Sequence, residues 1–579
     1  MPVQNLRNLS SAALVALSVS VTSTLGLAAP VAANGLAGAY LAGRAATYES
    51  DFSAAAEYYT RALVRDPKNP VLMENVVFAQ LAQGDLDRAL PVAQRLWEME
   101  LRSQATNMVM VGDFARRDAF VDILARDLAI RDIHPLVDGL LTAWAHMGEG
   151  AVSAAMQSFE ALAEDQNLRP YAQFHQALAL ASVGDYEGAE AMFAAEDGKL
   201  TRLSRQSVLA RMQILSQLGQ NEKALEVLSG AFSSGFDPAL ADLRGRLEAG
   251  EALGFTMAPS PVEGIAEVFF TMGSALNGQQ ADDYVLMYAR MASVLNPDHV
   301  DAVLLSAELL DKLGRFPLSI ATYKQVPRSH PDYYAAEMGR AEALRRSAKP
   351  DAAAEVLAQL AEIYPELPQV QVSLGDLLRQ QEDYTGAVTA YDKALTYTPE
   401  QSPSRWFLYY ARGICHERLD NWAEAEADFR ASLALEPNRP QVLNYLGYSL
   451  VEKQKNLDEA LDMIERAVAA RPESGYIVDS LGWVLYRLGR YSEAVGHMER
   501  AVELMPVDPV VNDHLGDVFW AVGRQREAEF QWKRALSFIH SGEGDGEADP
   551  ERIRRKIEVG LDVVLEEEGA DPLKVANGG

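Results

Sequence analysis

The sequence predicts an all-α chain folded as a superhelical solenoid of about twelve to fourteen helix–turn–helix repeats in two arrays. Three observations predict it. A phrase recurs about every 34 residues, a period that belongs to paired-helix repeats. It reads LGYSLVEKQKNLDEALDMIERAVAARP at 446–472, LGWVLYRLGRYSEAVGHMERAVELMP at 481–506 and LGDVFWAVGRQREAEFQWKRAL at 515–536. Within the phrase, small residues, one large apolar residue and a proline fall at fixed places. Finally, 579 residues exceed what a single core holds, a limit that repeats escape because each unit packs only on its neighbours.

The fixed places each have a physical reason. With the repeat numbered from 1, position 8 is small where helix A crosses helix B, and position 20 is small for the same reason. Position 24 is large and fills the gap between the helices. Position 32 is proline, which cannot continue the helical ladder. Gly43, Ala55, Tyr59, Ala62 and Pro67 make one such unit, and Gly375, Ala387, Tyr391, Ala394 and Pro399 another. The units of Gly413 with Phe429, Gly447 with Ile464, Gly482 with Met498 and Gly516 with Trp532 follow. Weaker units sit at Gly84-Asp85, Gly184-Asp185 and Gly219, and Gly273, Val285, Ala289, Ala292 and Pro297 resume the register.

The organisation then reads as follows. Residues 1–33 hold one charged side chain, Arg7, and end in small residues with Val31 and Ala33 spaced as at a secretory cleavage site. They are expected to be a signal peptide, the alternative being an uncleaved anchor. Residues 34–238 form a degenerate N-terminal array. Residues 239–263, with GFTMAPSPVEG, form a joint. Residues 264–541 form the C-terminal array. Residues 542–579 hold an acidic linker, a short helix begun by Asp549-Pro550 and a tail. The face of Ile553, Ile557 and Leu561 is expected to cover the last repeat, as a terminal repeat requires.

Composition excludes several functions. The net charge is -30, from 52 Lys and Arg against 82 Asp and Glu, so no nucleic-acid partner is expected. The single cysteine, Cys415, permits no disulfide and reads as a core thiol. The nine histidines show no ligand spacing, so no metal is expected. His514 beside Asp513 reads as ordinary helix-surface chemistry. No phosphate loop or catalytic cluster stands out. The chain is read as a non-enzyme without a cofactor or small-molecule substrate.

Helix A of each unit lines the concave face, with positions 5, 9 and 12 toward the groove. Position 5 of the last four units holds Tyr410, Asn444, Asp479 and Asp513; position 9 includes Tyr448, Trp483 and Asp517; position 12 includes Tyr486 and Trp520. Tyr and Trp are favoured binding anchors, and the carboxylates would attract Lys or Arg. These nine residues are the candidate groove for a basic or amphipathic peptide segment.

The pattern resembles tetratricopeptide repeats over nearly all of the chain after residue 33. The stretches NYLGYSLVEKQKNLDEAL, DSLGWVLYRLGRYSEA and DHLGDVFWAVGRQREAEFQWKRAL are similar to exported proteobacterial members of that family. One of these is a lipoprotein adaptor of a periplasmic carboxyl-terminal processing protease that acts on cell-wall hydrolases. The resemblance implies a periplasmic scaffold that binds other proteins, with a periplasmic protease or cell-wall hydrolase as partner. A second class is a structural component of an envelope polysaccharide or secretion machine. No cysteine near residue 33 could carry a lipid, so a soluble or outer-membrane-associated periplasmic protein is expected. The Lys and Arg members of the family's carboxylate clamp are missing where Asn444, Asp479, Ser480 and Asp513 stand.

Overall fold

The computed structural model describes residues 35–126, 133–195, 204–231, 238–539, 548–570 and 573. The expected signal peptide, most of the acidic linker and the tail lie outside them. The described residues form 31 helices and no strand, and 28 of the helices pair consecutively into 14 hairpins. No helix among them is long and apolar enough to cross a membrane.

The repeat positions act as their chemistry requires. The second helices of seven hairpins end on Asp66, Asn296, Tyr364, Thr398, Glu436, Arg471 and Met505. Each is the residue before a proline, where the following ring disfavours helical backbone. At position 8, a Cβ added to Gly43, Gly375, Gly413, Gly447, Gly482 or Gly516 would collide with Tyr59, Tyr391, Phe429, Ile464, Met498 or Trp532 respectively. Those six partners all stand at position 24 and are essentially buried. The thiol of Cys415 is buried beside them, and desolvation pushes its pKa up to about 11, as expected of an inert core residue.

The helices fall into two units, residues 1–196 with 256–298, and residues 197–255 with 299–579. This differs from the expected partition, in which 264–298 opened the C-terminal array and everything up to 238 belonged to the N-terminal one. Residues 204–248 instead join the repeats that begin at 299. Arg205 pairs with Asp301 and Asp332, each at 3.2 Å, and Gln206 donates to Asp301. The repeat register read from Gly273 to Pro297 holds, and a hairpin of Pro261–Leu276 and Asp282–Leu295 forms there. Its place is the face made by the first helices Pro70–Gln83, Gln104–Arg116, Pro135–Gly148 and Arg169–Ser182.

The reason lies in the composition of the two faces. The Gln104–Arg116 helix is buried at every residue from Ala105 to Ala115, a pattern that requires cover on all sides. Gly112 leaves room for Met291 of the hairpin, and Gly264 of the hairpin leaves room for the Trp144 ring. Polar groups at the contact find partners. Arg290 donates to the Ala82 carbonyl at 3.2 Å, and Gln104 donates to the hydroxyls of Tyr284 and Tyr288 at 2.8 and 2.5 Å. Trp144 Nε1 donates to His175 Nδ1 at 3.1 Å, which leaves the His175 proton on Nε2 to donate to Thr271 Oγ1 at 3.2 Å. The Thr271 hydroxyl donates on to Glu267. Burial pushes the His175 pKa down to about 3, so the ring is neutral, as the chain of donors demands. The N-terminal unit thus fills its own concave face.

Gly264→Ala should destabilise this unit by about 1–3 kcal/mol, the usual cost of overpacking. A chemical denaturation curve would show it as a lower midpoint for the transition of that unit, and an unchanged midpoint would refute the packing of hairpin on Trp144.

Candidate functional site

The helices that carry the nine candidate residues are Arg405–Arg418, Pro440–Glu452, Gly475–Arg487 and Pro509–Ala521. They are covered to different degrees. The first has four buried residues, Leu408, Ala411, Gly413 and Cys415, whereas Gly475–Arg487 is buried at ten. The open side therefore narrows toward the C-terminus, and its cover there is the chain itself.

The cover is the short helix Pro550–Val559, begun by Asp549 as N-cap with Pro550 at its first turn. Gly560, at φ +89°, breaks it before Leu561–Glu567. Ile553 and Leu561 are fully buried, and Ile557 is partly buried against the same core, as the apolar stripe implied. The residue that sequence reasoning passed over is Lys556. It is 0% exposed, and its amine donates to both oxygens of Asp513 at 2.8 Å and to Asp517 Oδ1 at 2.7 Å. Trp532 Nε1 adds a bond to Asp517 Oδ1 at 2.9 Å. Burial raises the Asp513 pKa, Asp517 raises it further, and Lys556 opposes both. The signal for this contact was present: a lysine lies three residues after the apolar Ile553, on the face that must be buried.

Asp513 and Asp517, expected to face an open groove, are therefore 6% and 1% exposed and already paired. Trp520 is likewise engaged. Its ring packs 5.4 Å from Trp532 and against Gly560, and Nε1 donates to Asp562 at 2.9 Å. The cause is common to all three: a terminal repeat must cover its last apolar face, and the covering helix brings its own cation to the carboxylates.

One repeat earlier, the same places are filled from within the array. His514 is 8% exposed and is not the surface residue expected. Its Nδ1 lies 3.0 Å from Asp479, and its ring stacks 4.0 Å from Trp483. Trp483 also stacks on Tyr486 at 4.8 Å and donates to Glu452 at 3.0 Å. Burial pushes the His514 pKa down, but the charge and hydrogen bond of Asp479, with Asp513 and Asp517 behind it, more than reverse this, so it stands above the ordinary 6.5. Tyr410 is packed among Trp406, Phe429 and Tyr445.

What remains open is a cavity of about 460 Å³ between the helices Pro440–Glu452 and Gly475–Arg487. Asn444, Tyr448 and Asp479 of the nine line it, with Tyr445, Tyr476, Ser480, Met505 and Val511. Four carboxylates (Glu417, Glu452, Asp479, Asp508) stand at it with Arg418, Lys453 and His514, the last paired to Asp479. Asn444 is 8% exposed, and its Oδ1 has no hydrogen-bond partner among the described residues. A buried acceptor left unpaired costs about 1–3 kcal/mol. The arrangement can cover apolar side chains and offers charged groups of both signs at its edge.

Residues 40–99, 304–368, 372–441, 410–475 and 446–509 match the family model for the tetratricopeptide repeat. The TPR repeat-containing protein PA4667 of Pseudomonas aeruginosa is 28% identical over 163 residues, which make up 28% of this chain and 27% of that protein. The chain thus spans about a quarter of that relative's length. Among solved structures, the APC/C hetero-tetramer Cut9–Hcn1 is similar at a TM-score of 0.36 and 14% identity, covering 90% of this chain and 96% of that one. Yeast Tom70 is similar at a TM-score of 0.32 and 16% identity, covering 92% and 98%.

Two outcomes are expected at the covered end. Lys556→Met should take from Asp513 its buried cation, while Asp517 keeps Arg552 and the Trp532 N–H, and loosen the 550–567 segment by about 3–5 kcal/mol. Faster amide exchange confined to 550–567 and to 513–520 would report it, and unchanged protection would count against the buried ion pair. For His514 the raised folded pKa means that its stabilisation is complete below pH 6.5 and is lost as pH rises through the folded value. Stability of this unit should accordingly fall as pH rises above 6.5, and His514→Gln should flatten that slope; an identical slope in the variant would refute it.

Proposed function

This chain belongs to the tetratricopeptide repeat family through the repeats at 40–99, 304–368 and 372–509, and from that premise we propose an exported adaptor for a cell-envelope enzyme. Tetratricopeptide repeats build scaffolds for protein–protein interaction, and their proteins bind peptides and other proteins. The finer reading is that this scaffold works in the periplasm and presents a protease or cell-wall hydrolase to its target. The apolar run at 1–33 with its small-residue exit supports export. The likeness of stretches within 444–536 to exported proteobacterial repeat proteins supports the adaptor role.

One observation carries the docking site: a cavity of about 460 Å³ lined by Asn444, Tyr448 and Asp479 stays open. The N-terminal concave face is filled by the 261–295 hairpin and the last repeat by the Pro550–Val559 helix, so the partner segment docks between repeats whose helices begin at Pro440 and Gly475.

Tyr448→Arg should lower capture of the envelope enzyme and its activation in a reconstituted assay by about tenfold or more, the scale of a lost central anchor. The helical circular dichroism and the melting temperature should stay as they are. Full capture and activation by the folded variant would remove the partner from this cavity. Co-fractionation with a synthase or secretion complex, without any effect on a hydrolase, would favour a machine component over an adaptor.

A further inference from the structure

We propose that the first helix, Leu36–Tyr48, is a contact surface for a second copy of this chain, the two helices lying antiparallel about a twofold axis. Leu36, Leu41 and Tyr48 are 40%, 61% and 92% exposed. No other described helix leaves more than one large apolar residue exposed. Two seams run along Leu36–Tyr48. Ala39, Gly43 and Ala46 are buried and face the second helix, where Gly43 makes room for the Tyr59 ring. Ala37, Leu41, Arg44 and Tyr48 are exposed and lie two residues out of step with the first set, about 200° around the helix. Their alternating spacing of four and three is that of a seam where one helix meets another. Pro70–Gln83, the first helix of the next hairpin, is flanked by Phe52–Arg65 and Leu86–Glu98. The described residues begin at Gly35, so Leu36–Tyr48 has no preceding helix among them.

Charge and shape both favour a second copy as the occupant. Arg44 is the only charged side chain of Leu36–Tyr48, in a chain of net charge -30. Two copies can therefore meet on this helix without bringing its own carboxylates together, whereas most other faces repel. An isologous contact must be complementary to itself, and this seam is. Antiparallel pairing about a point midway between Ala42 and Gly43 sets Ala37 against the partner's Tyr48 and Tyr40 against the partner's Ala45, small against large. Leu41 then meets the partner's Arg44, whose stem covers apolar surface while its head stays in water. Each first helix supplies the neighbour that the other lacks. A seam of 13 residues is about 20 Å long and falls short of a standard interface, so the pairing is expected in the micromolar range.

Sedimentation equilibrium of the full-length chain, from about 1 to 100 µM, tests the pairing. The average mass should rise from one copy toward two. Leu41→Glu combined with Tyr48→Glu should weaken the association by about tenfold or more. Both side chains are exposed, so the melting temperature should not change, which separates lost pairing from lost folding. Added salt should strengthen the pairing, because it screens the repulsion between two anionic chains. A mass that stays at one copy throughout overturns the proposal, whether residues 1–34 or nothing covers the seam. A mass that rises equally in the double variant overturns it too, since the copies would then meet elsewhere. So does pairing that is lost in salt, which would be ionic. A short bismaleimide reads the register. A mixture of Ala37→Cys and Glu49→Cys proteins should cross-link, and neither should alone, because like positions in the antiparallel pair lie about 16 Å or more apart. The native Cys415 is buried and does not compete. Cross-linking of either protein on its own overturns the antiparallel pairing.

Discussion

Where the first helix of a repeat crosses the second, a glycine leaves room for one large side chain and for nothing more. Tyr59, Tyr391, Phe429, Ile464, Met498 and Trp532 each occupy that room, and all are essentially buried. Because the two helices are held this closely, the rest of the first helix is turned away from its partner. It must then be met by the next repeat on one side and by something else on the concave side. Polar side chains on that side are tolerable in water and costly when covered without partners. Every later feature of the molecule is an answer to what meets the concave side.

Three answers coexist. In the N-terminal unit a whole hairpin, 261–295, lies there, and its contacts are large and apolar, with Trp144, Phe269, Tyr288 and Met291 buried. At the C-terminal end a single helix lies there, held by a buried lysine between two aspartates. A buried ion pair adds little net stability compared with apolar packing, but it is exacting about geometry. It fixes which helix sits on the last repeat and in which register. Between these ends, a cavity lined by Asn444 and Tyr448 stays open, and the Asn444 oxygen has no hydrogen-bond partner among the described residues.

Much of this was legible in the sequence because local rules and packing rules agreed. Prolines ending second helices, position-8 glycines and position-24 aromatics could be numbered before any coordinates, and so could the capping helix with its Asp549-Pro550 start. The placement of 256–298 was not legible. Its repeat register is ordinary, and whether a hairpin stacks in line or folds onto a face depends on tertiary complementarity, here Gly264 against Trp144 and Gly112 against Met291. The contacts of the candidate groove residues were not legible. Asp513, Asp517 and Trp520 are met by residues 39 or more positions away in sequence. Periodicity finds a face; it does not say what lies on it.

The two covered faces also differ in the ionisation that they require. His175 accepts from the Trp144 N–H, a group that can only donate, so the ring must be neutral for the chain of bonds to Thr271 to exist. Its folded pKa of about 3 lies below the ordinary 6.5. Its contribution is therefore present above pH 6.5 and is lost as pH falls toward 3. His514 is the reverse case, since the Asp479 carboxylate favours the charged ring and its contribution is complete on the acid side. One fold thus uses histidine in both states, and the choice follows from the first neighbour. An indole donor selects the neutral ring, and a carboxylate selects the cation.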